Sequence, residues 1–279
     1  MKKRFAVFFV VLLSLSLSAC SGNGAGKTSG GSEVTIPETV LVDEQGIKAV
    51  AKSFGKYESE VFPSDQALLI DVTNSTGRTV SVGLNRSSIN GYMIDCPVSF
   101  EIDTGETQTY PASFDELALK KYAFPAIADL EFCFTVTDAE TYEPILETQP
   151  IQIKTSAADT YDYSYDESGE VIYDAEGIKI TAKEPYEDEY LGLSVDLVIS
   201  NQSGKNLSIA APECDVNGKT VEPSFGADVM NGKHSISQLS FDEGDRPETI
   251  QSLTLSLEIR DWDDGEPIVE KTDPVTVTY

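Results

Sequence analysis

Residues 193–222, LSVDLVISNQSGKNLSIAAPECDVNGKTVE, decide the fold, because they contain strand, turn, strand and turn in succession. The same order of features already occurs upstream, in residues 68–95. In each copy an alternating apolar run ends at an asparagine, and a glycine, a second strand and an Asn-Gly pair follow. These landmarks are Asn74 and Asn201, Gly77 and Gly204, and the pairs Asn90-Gly91 and Asn217-Gly218. A repeat of this length indicates a duplicated domain and not a short solenoid unit.

The duplication extends beyond this stretch on both sides. Upstream, DEQGIK at residues 43–48 matches DAEGIK at residues 174–179. Downstream, four apolar residues at every second position predict a core strand in each copy. They are Leu130, Phe132, Phe134 and Val136 in the first copy, and Leu253, Leu255, Leu257 and Ile259 in the second. Ile151 and Ile153, with their counterparts Val275 and Val277, predict a closing strand, and residues 115–122 predict one or two helical turns.

About seven short strands per copy, separated by close turn signals, are typical of a two-sheet sandwich. Asn-Gly between alternating apolar residues favours a tight hairpin, because both central residues of that turn need positive φ. The sequence therefore predicts an all-β protein with two tandem immunoglobulin-like β-sandwich domains, at residues 39–155 and 170–279.

The shared pattern GIK…NxSGKxLxI…VNG…GK…LSF…EIxD resembles a family of uncharacterised Gram-positive lipoproteins whose immunoglobulin-like domains recur singly or in tandem. The resemblance covers nearly all of the chain beyond its N-terminal segment. Its motifs are fold motifs, and the family offers no catalytic residues to assign here. The first copy departs from the pattern in a longer segment at residues 110–124.

The N-terminus predicts export and anchoring. Lys2-Lys3-Arg4 is a basic start, and residues 5–17 form an apolar run too short for a comfortable membrane span. The next residues, Leu17-Ser18-Ala19-Cys20, resemble the lipobox of bacterial lipoproteins. That resemblance implies a signal peptide at residues 1–19, diacylglycerol on Cys20 and a protein held on the extracytoplasmic face of the cell membrane; an ordinary secretory signal with an incidental cysteine is the alternative. Residues 20–38, rich in Gly and Ser, predict a flexible tether.

Charge narrows the choice of partners. The 279 residues carry 47 acidic and 20 basic side chains, a net charge of −27. Such a surface repels phosphate backbones and anionic lipid, so nucleic acid is not an expected partner.

The segment between the repeats, residues 156–169, alternates Tyr161, Tyr163 and Tyr165 with polar residues. One interpretation is a recognition peptide that adds a strand to a partner's sheet. The other is a solvated acidic linker, which would leave the two domains articulated.

Three cysteines remain when Cys20 is lipidated: Cys96, Cys133 and Cys214. A disulfide between Cys96 and Cys133 is one alternative in an oxidising exterior. The alternation of Phe132, Cys133 and Phe134 argues against it, because Cys133 is expected to face outward. The absence of a Cys-x-x-Cys pair gives no support to a structural zinc or redox site.

Catalytic motifs are missing from the sequence. His234 is the only histidine, at the start of a predicted strand, and there is no Gly-x-Ser-x-Gly or His-Glu-x-x-His. A calcium loop is a hypothesis for four carboxylates around a glycine, Asp261, Asp263, Asp264 and Glu266, since Ca²⁺ prefers several oxygen ligands. The alternative is an Asp-Gly hairpin turn flanked by solvated acids.

These observations predict a lipid-anchored binding or envelope-interaction module, not an enzyme, whose partner is a cell-surface protein or glycan. A solute-capturing or transporter-accessory lipoprotein is an alternative that would need a pocket between the domains. A structural spacer is another.

Overall fold

The computed structural model describes residues 34–58, 64–97 and 99–279, and these belong to one compact unit. The predicted signal peptide, Cys20 and most of the predicted tether lie outside the described residues. No helix within the described ranges is long and apolar enough to cross a membrane.

In the described part of the first repeat there are ten strands and one short α-helix. They are β1 (Thr39–Glu44), β2 (Ile47–Tyr57), β3 (Ser64–Asn74), β4 (Val80–Ile89), β5 (Tyr92–Met93), β6 (Phe100–Ile102), β7 (Thr107–Ser113), α1 (Glu116–Tyr122), β8 (Asp129–Asp138), β9 (Pro144–Glu147) and β10 (Ile151–Lys154). A 3-10 turn, Ala158–Thr160, follows in the connecting segment.

The second repeat is divided into a larger number of shorter strands. Its strands are β11 (Glu170–Ala175), β12 (Ile178–Ala182), β13 (Tyr186–Asp188), β14 (Gly192–Asn201), β15 (Leu207–Ala210), β16 (Cys214–Val216), β17 (Lys219–Val221), β18 (Pro223–Ser224), β19 (Gly226–Val229), β20 (His234–Phe241), β21 (Ser252–Leu255), β22 (Glu258–Asp261), β23 (Pro267–Val269) and β24 (Val275–Thr278).

The strands form four sheets, one of which runs through both repeats. Three sheets have four strands each, in the orders β1-β2-β3-β7, β19-β15-β22-β23 and β17-β16-β21-β24. The fourth has twelve strands, with the central order β10-β8-β4-β5-β20-β14-β12-β11. Strands β5 and β20 join the repeats in this sheet, where Tyr92 pairs with His234 in parallel.

The duplicated landmarks make the same turn in both repeats. Asn90 and Asn217 both have φ of 54°, and the glycines that follow them have φ of 82° and 83°. Each asparagine also fixes the loop behind it, because Asn90 Oδ1 accepts from the Ala128 N–H and Asn217 Oδ1 accepts from the Gln251 N–H. The predicted Asn-Gly hairpins are confirmed.

Each repeat has its own hydrophobic core. One cluster takes its members from the first repeat, the other from the second, and the predicted inward residues of β8, β21 and β22 are buried in them. In a sandwich, every second residue of a strand points between the two sheets, so both sheets contribute side chains to the core. The predicted all-β fold of immunoglobulin-like sandwiches is confirmed, as is the helical turn at α1.

The end of the predicted tether packs against the first repeat. Val34 is buried against the first core, and the backbone groups of Thr35 bond to Ser156 at the other end of that repeat. The described part of the tether, residues 34–38, is therefore attached to the sandwich.

Candidate binding cleft between the repeats

The two repeats are joined by hydrogen bonds between β5 and β20. The His234 N–H donates to the Gly91 carbonyl at 2.9 Å, and the His234 ring stacks on Tyr92 with centroids 5.0 Å apart. His234 Nδ1 lies 2.8 Å from Glu167 Oε1, a charged pair when the imidazole is protonated. His234, at the start of its strand as predicted, therefore lies at the junction with its side chain partly covered.

The helix α1 belongs to the segment in which the first copy departs from the pattern. Asp115 caps it by accepting from the N–H groups of Leu117 and Ala118. At its last turn Tyr122 is buried, and its hydroxyl donates to the Met93 carbonyl at 2.7 Å. The same hydroxyl accepts from the Ile236 N–H of the second repeat at 3.4 Å. The additional segment of the first copy thus forms part of the contact with the second repeat.

The residues between the repeats pack against this contact. Tyr163 donates its hydroxyl to the Tyr122 carbonyl at 2.7 Å, and Tyr161 accepts from the Asn90 amide at 2.9 Å. The Tyr165 N–H donates to the Tyr92 hydroxyl. The tyrosines of residues 156–169 therefore pack against the repeats and are half-buried, whereas the polar residues that alternate with them are exposed.

Three ion pairs connect the repeats around this aromatic contact. Each one joins a cation of one repeat to a carboxylate of the other: Lys121 to Asp196 at 2.7 Å, Lys233 to Glu131 at 2.9 Å, and Arg86 to Asp263 at 2.7 Å. The Lys233 and Glu131 side chains are only 13% and 20% exposed, so water screens this pair less than a surface pair. With the β5–β20 bonds, these pairs hold one sandwich against the other.

A cleft of about 810 Å³ lies between the repeats beside this junction. From the first repeat it is lined by the end of β4, residues 93–97 and α1. From the second repeat it is lined by β15, β19, the start of β20 and Trp262. Small residues, among them Ser208, Ala210 and Gly226, keep the second-repeat side open. Its volume is in the range of clefts that hold small ligands.

The charges that line the cleft are mostly negative. Asp95, Asp115 and Asp228 are its carboxylates, and Arg86 is its cation among the described lining residues. Burial raises the pKa of the Asp95 carboxyl, and the charges of Asp115 and Asp228 raise it further. Like charges that are close enough to perturb one another indicate a site of negative potential.

Arg86 does not neutralise these carboxylates. Its guanidinium lies 2.7 Å from Asp263 and 5.0 Å above the Trp262 ring. The Arg86 backbone lies in the left-handed region at φ 49°. The pairing of β4 with β8 shifts register at this point, between Asn85 and Ser88, and this part of β4 lines the cleft.

The predicted calcium carboxylates are not brought to one point. Asp261 is paired with Lys205 at 2.9 Å and Asp263 with Arg86, while the Asp264 carboxylate accepts from the Glu266 N–H. No group of three or more His, Cys, Asp or Glu side chains in the described ranges is arranged to hold a metal ion. The structure therefore adds no support to the calcium hypothesis and agrees with its alternative, a hairpin turn.

The three described cysteines are buried thiols without a disulfide. Cys96 belongs to the first core and lies 3.6 Å from the Tyr110 hydroxyl, whereas Cys133 lies outside that cluster although Phe132 and Phe134 belong to it. This place outside the core cluster agrees with the prediction that Cys133 faces outward, and its side chain is nevertheless covered, because Cys133 is only 2% exposed. Burial raises the pKa of Cys214 to about 12 and also raises that of Cys133, which makes both poor nucleophiles.

Sequence reasoning missed the cleft residues because their proximity depends on contacts between repeats. Asp95 and Asp228 are separated by more than a hundred residues and have no motif in common. One local signal was present: Val198 and Ile236 are apolar residues on the outer faces of their strands. Both are buried with Tyr92 and Tyr122 in a third cluster, at the junction.

Comparisons with known proteins leave the function open. No family model matches the chain, and no curated protein matches it. Among solved structures, the YadV chaperone matches at 10% identity over 76% of this chain and 92% of that chain, with a TM-score of 0.25. A similarity at this level does not indicate function.

Proposed function

We propose that this protein is a lipid-anchored, extracytoplasmic binding lipoprotein that captures a ligand in the cleft between its two repeats. The observation that carries the proposal is the cleft itself, about 810 Å³ in volume and lined by both repeats. Solute capture needs a pocket between the domains, and a structural spacer does not. A binding role therefore accounts for the cleft better than a spacer role does.

The fixed pose of the repeats supports a binding role further. A cleft between loosely connected domains has to be ordered by its ligand, and that ordering reduces affinity. Here the β5–β20 pairing, the buried Tyr122 and the three ion pairs already hold the two sides in place. Ligand binding then needs little reorganisation of the backbone.

The binding role is tested by filling the cleft at Gly226. A Cβ atom built at Gly226 meets no heavy atom within 4 Å, so phenylalanine at this position extends into the cleft without a backbone clash. Full-length wild-type protein and Gly226→Phe, purified in mild detergent, are incubated with spent growth medium and compared by native mass spectrometry. We expect a small molecule bound to wild type and its loss, by about tenfold or more in occupancy, in the variant.

Gly244→Phe is the matched control. A Cβ atom at Gly244 also meets nothing within 4 Å, and the residue does not line the cleft. It should retain the ligand as wild type does. Equal binding by Gly226→Phe, or no bound species with wild type, would contradict the proposed function.

The anchor is tested separately at Cys20. A thioether to diacylglycerol needs the cysteine sulfur, and two acyl chains hold a protein stably on a membrane. Cys20→Ser should keep the fold and move nearly all of the protein from the membrane fraction to the soluble fraction. Sedimentation of this variant with membranes after a high-salt wash would exclude the lipid anchor.

A further inference from the structure

We propose that the ligand of the cleft is a short free peptide, bound in an extended conformation as an added strand beside β19. This inference rests on the proposed function and names the chemical class that the cleft captures. It follows from the place of β19 in its sheet, from the direction of its backbone groups and from the cavity beside it.

Strand β19 has one free edge. It is the terminal strand of the sheet β19-β15-β22-β23, and among the described strands it pairs with β15 alone. The cleft is lined by β15 and β19 on one side of that edge. On the other side it is lined by the start of β20, which belongs to another sheet. The cavity therefore runs along the free edge of β19.

The register of the sheet shows which backbone groups of β19 point towards this edge. The Trp262 N–H donates to the Asn206 carbonyl at 2.9 Å, so the even-numbered residues of β15 bond to β22 and the odd-numbered residues bond to β19. Ala227 lies opposite an odd-numbered residue and is therefore bonded to β15. By the same alternation, its neighbours Gly226 and Asp228 direct their N–H and C=O groups away from β15.

These outward groups are not used within the described part of the chain. The backbone of Gly226 and Asp228 makes no hydrogen bond there to another loop or to a side chain. Both residues line the cleft, and a Cβ atom built at Gly226 meets open space. A peptide backbone can therefore approach this edge and exchange N–H···O=C bonds with it, which is strand addition.

Other edge strands of the chain carry features that hinder strand addition. The pairings of β1 with β2 and of β11 with β12 each shift register, and β7 contains Pro111. Bulges and proline protect an edge against a further strand. The register of β19 is regular and its four residues include no proline.

The first repeat limits access to this unprotected edge. Residues 93–97 and α1 form the wall of the cleft that the first repeat supplies, and the cavity between this wall and the second repeat is about 810 Å³. An edge enclosed in this way excludes the edge of a second folded sheet. It admits a chain of a few residues, which is why we assign a short free peptide and not a strand of a folded partner.

The first experiment asks what the full-length protein captures from a mixture of peptides. Wild type and Gly226→Phe, purified in mild detergent, are incubated with a protease digest of casein, and the bound species are identified by native mass spectrometry. We expect short peptides bound to wild type, and about tenfold lower occupancy in Gly226→Phe, whose side chain fills the cleft. If wild type captures no peptide, the inference is wrong.

The second experiment tests the strand geometry from the peptide side. The captured peptide is synthesised with an N-methyl group at each backbone position in turn, and its affinity is measured by calorimetry. Alternate N–H groups of an added strand face the edge, so methylation at every second position should weaken binding about tenfold or more. At the intervening positions the affinity should stay within about twofold. Equal effects at all positions would overturn strand addition.

Asp228→Pro and Asp228→Ala are the matched variants on the protein side. Proline removes the outward N–H and leaves the ladder with β15 intact, which edge strands tolerate, whereas alanine retains that N–H and removes only the carboxylate. We expect about tenfold weaker binding for Asp228→Pro and affinity within about twofold of wild type for Asp228→Ala. Equal weakening by both variants would assign the binding to the carboxylate and overturn strand addition.

Hydrogen exchange in the wild-type protein gives a readout that needs no variant. The outward Asp228 N–H should exchange about tenfold or more slowly when the captured peptide is bound, because it then donates to the peptide. This measurement decides the matter if Asp228→Pro fails to fold. An unchanged exchange rate with saturating peptide would show that the edge is not used.

The two proposals fail in different ways. If no peptide binds, while Gly226→Phe still removes a ligand captured from growth medium, only the ligand class is wrong. If nothing binds in either experiment, the cleft is not a binding site and both proposals fall.

Discussion

At the scale of single residues, one aspartate holds the same turn in each repeat. Asp138, at the end of β8, accepts from the backbone N–H groups of Glu140 and Thr141. Its other oxygen lies 3.0 Å from Arg78 Nη1. Such bonds stabilise the charged carboxylate, and they lower the pKa of Asp138, the Thr141 N–H having the largest effect.

Asp261 has the corresponding role at the end of β22. It pairs with Lys205, which has the largest effect in lowering the pKa of Asp261, and it accepts from the Asp263 N–H. The residue that began the calcium hypothesis is thus a turn residue repeated by duplication. The acidic composition suggested a ligand set, and within that set Asp261 pairs with Lys205 and Asp263 pairs with Arg86.

These two aspartates predict a pH dependence of stability. A carboxylate whose pKa is lower in the folded than in the unfolded state stabilises the fold above the unfolded value, about 3.9. That stabilisation is lost as pH falls through the lower, folded value. Asp138→Asn/Asp261→Asn should therefore be less stable than wild type near neutral pH, and the difference should shrink below about pH 4.

Urea unfolding of the full-length proteins from about pH 6 to pH 2.5 measures this difference. Asn retains an oxygen that accepts the backbone N–H bonds, so the comparison isolates the charge. Asp273→Asn, at an exposed site, should unfold like wild type throughout. A difference between wild type and the double variant that does not change over this range would show that the charges of these aspartates do not stabilise the turns.

At the scale of elements, the two-residue period of the predicted core strand in the second repeat predicts which side chains are buried, but it does not predict where the strand is interrupted. Leu253, Leu255, Leu257 and Ile259 are all buried, as their alternation predicted. The predicted continuous strand, however, is interrupted between β21 and β22. The strand β21 pairs with β16 and β24, whereas β22 pairs with β15 and β23 in another sheet.

The interruption also changes the environment of Ser256. A continuous strand with Leu255 and Leu257 in the core would direct Ser256 to the outer face, yet Ser256 is 7% exposed. It lies where the chain passes from one sheet to the other, outside both strands. Alternation assigns a face only while a residue remains in a regular strand, so the period predicted the core and not this transition.

The sequence therefore predicts features that depend on neighbouring residues better than it predicts contacts between distant parts of the chain. The Asn-Gly turns and the helix cap at Asp115 depend on neighbouring residues, and the sequence predicted the hairpins and the helical turns. The contacts of Tyr161, Tyr163 and Tyr165 depend on a surface assembled from both repeats. The cleft belongs to this second kind, because Asp95 and Asp228 come together only when the sandwiches dock.

At the scale of the whole molecule, the duplication has produced two unlike halves. Each repeat retains its own core, but the junction uses features that occur only once. The residue that corresponds to Tyr92 is Lys219, and the second repeat has no helix where the first has α1. The contact between the repeats therefore depends on Tyr92 and α1, which only the first repeat supplies. The cleft beside this contact depends on the same features.

The buried junction predicts that the two repeats unfold together. Four side chains, Tyr92, Tyr122, Val198 and Ile236, are buried at it, and full burial of a large apolar side chain contributes about 1.5 to 3 kcal/mol. Scanning calorimetry of the full-length wild-type protein should show one transition. Val198→Asp places an unpaired charge among these side chains and should separate unfolding into two transitions, because each repeat keeps its own core.

Val171→Asp is the matched substitution for this experiment. Val171 is 46% exposed on β11 of the same repeat, so the same change there should leave a single transition and alter stability by about 0.5 kcal/mol or less. The two variants differ only in whether the new carboxylate faces the junction or water. Two transitions in wild type, or one in Val198→Asp at an unchanged temperature, would show that the junction does not couple the sandwiches. The cleft between them would then lack the fixed walls on which ligand capture depends.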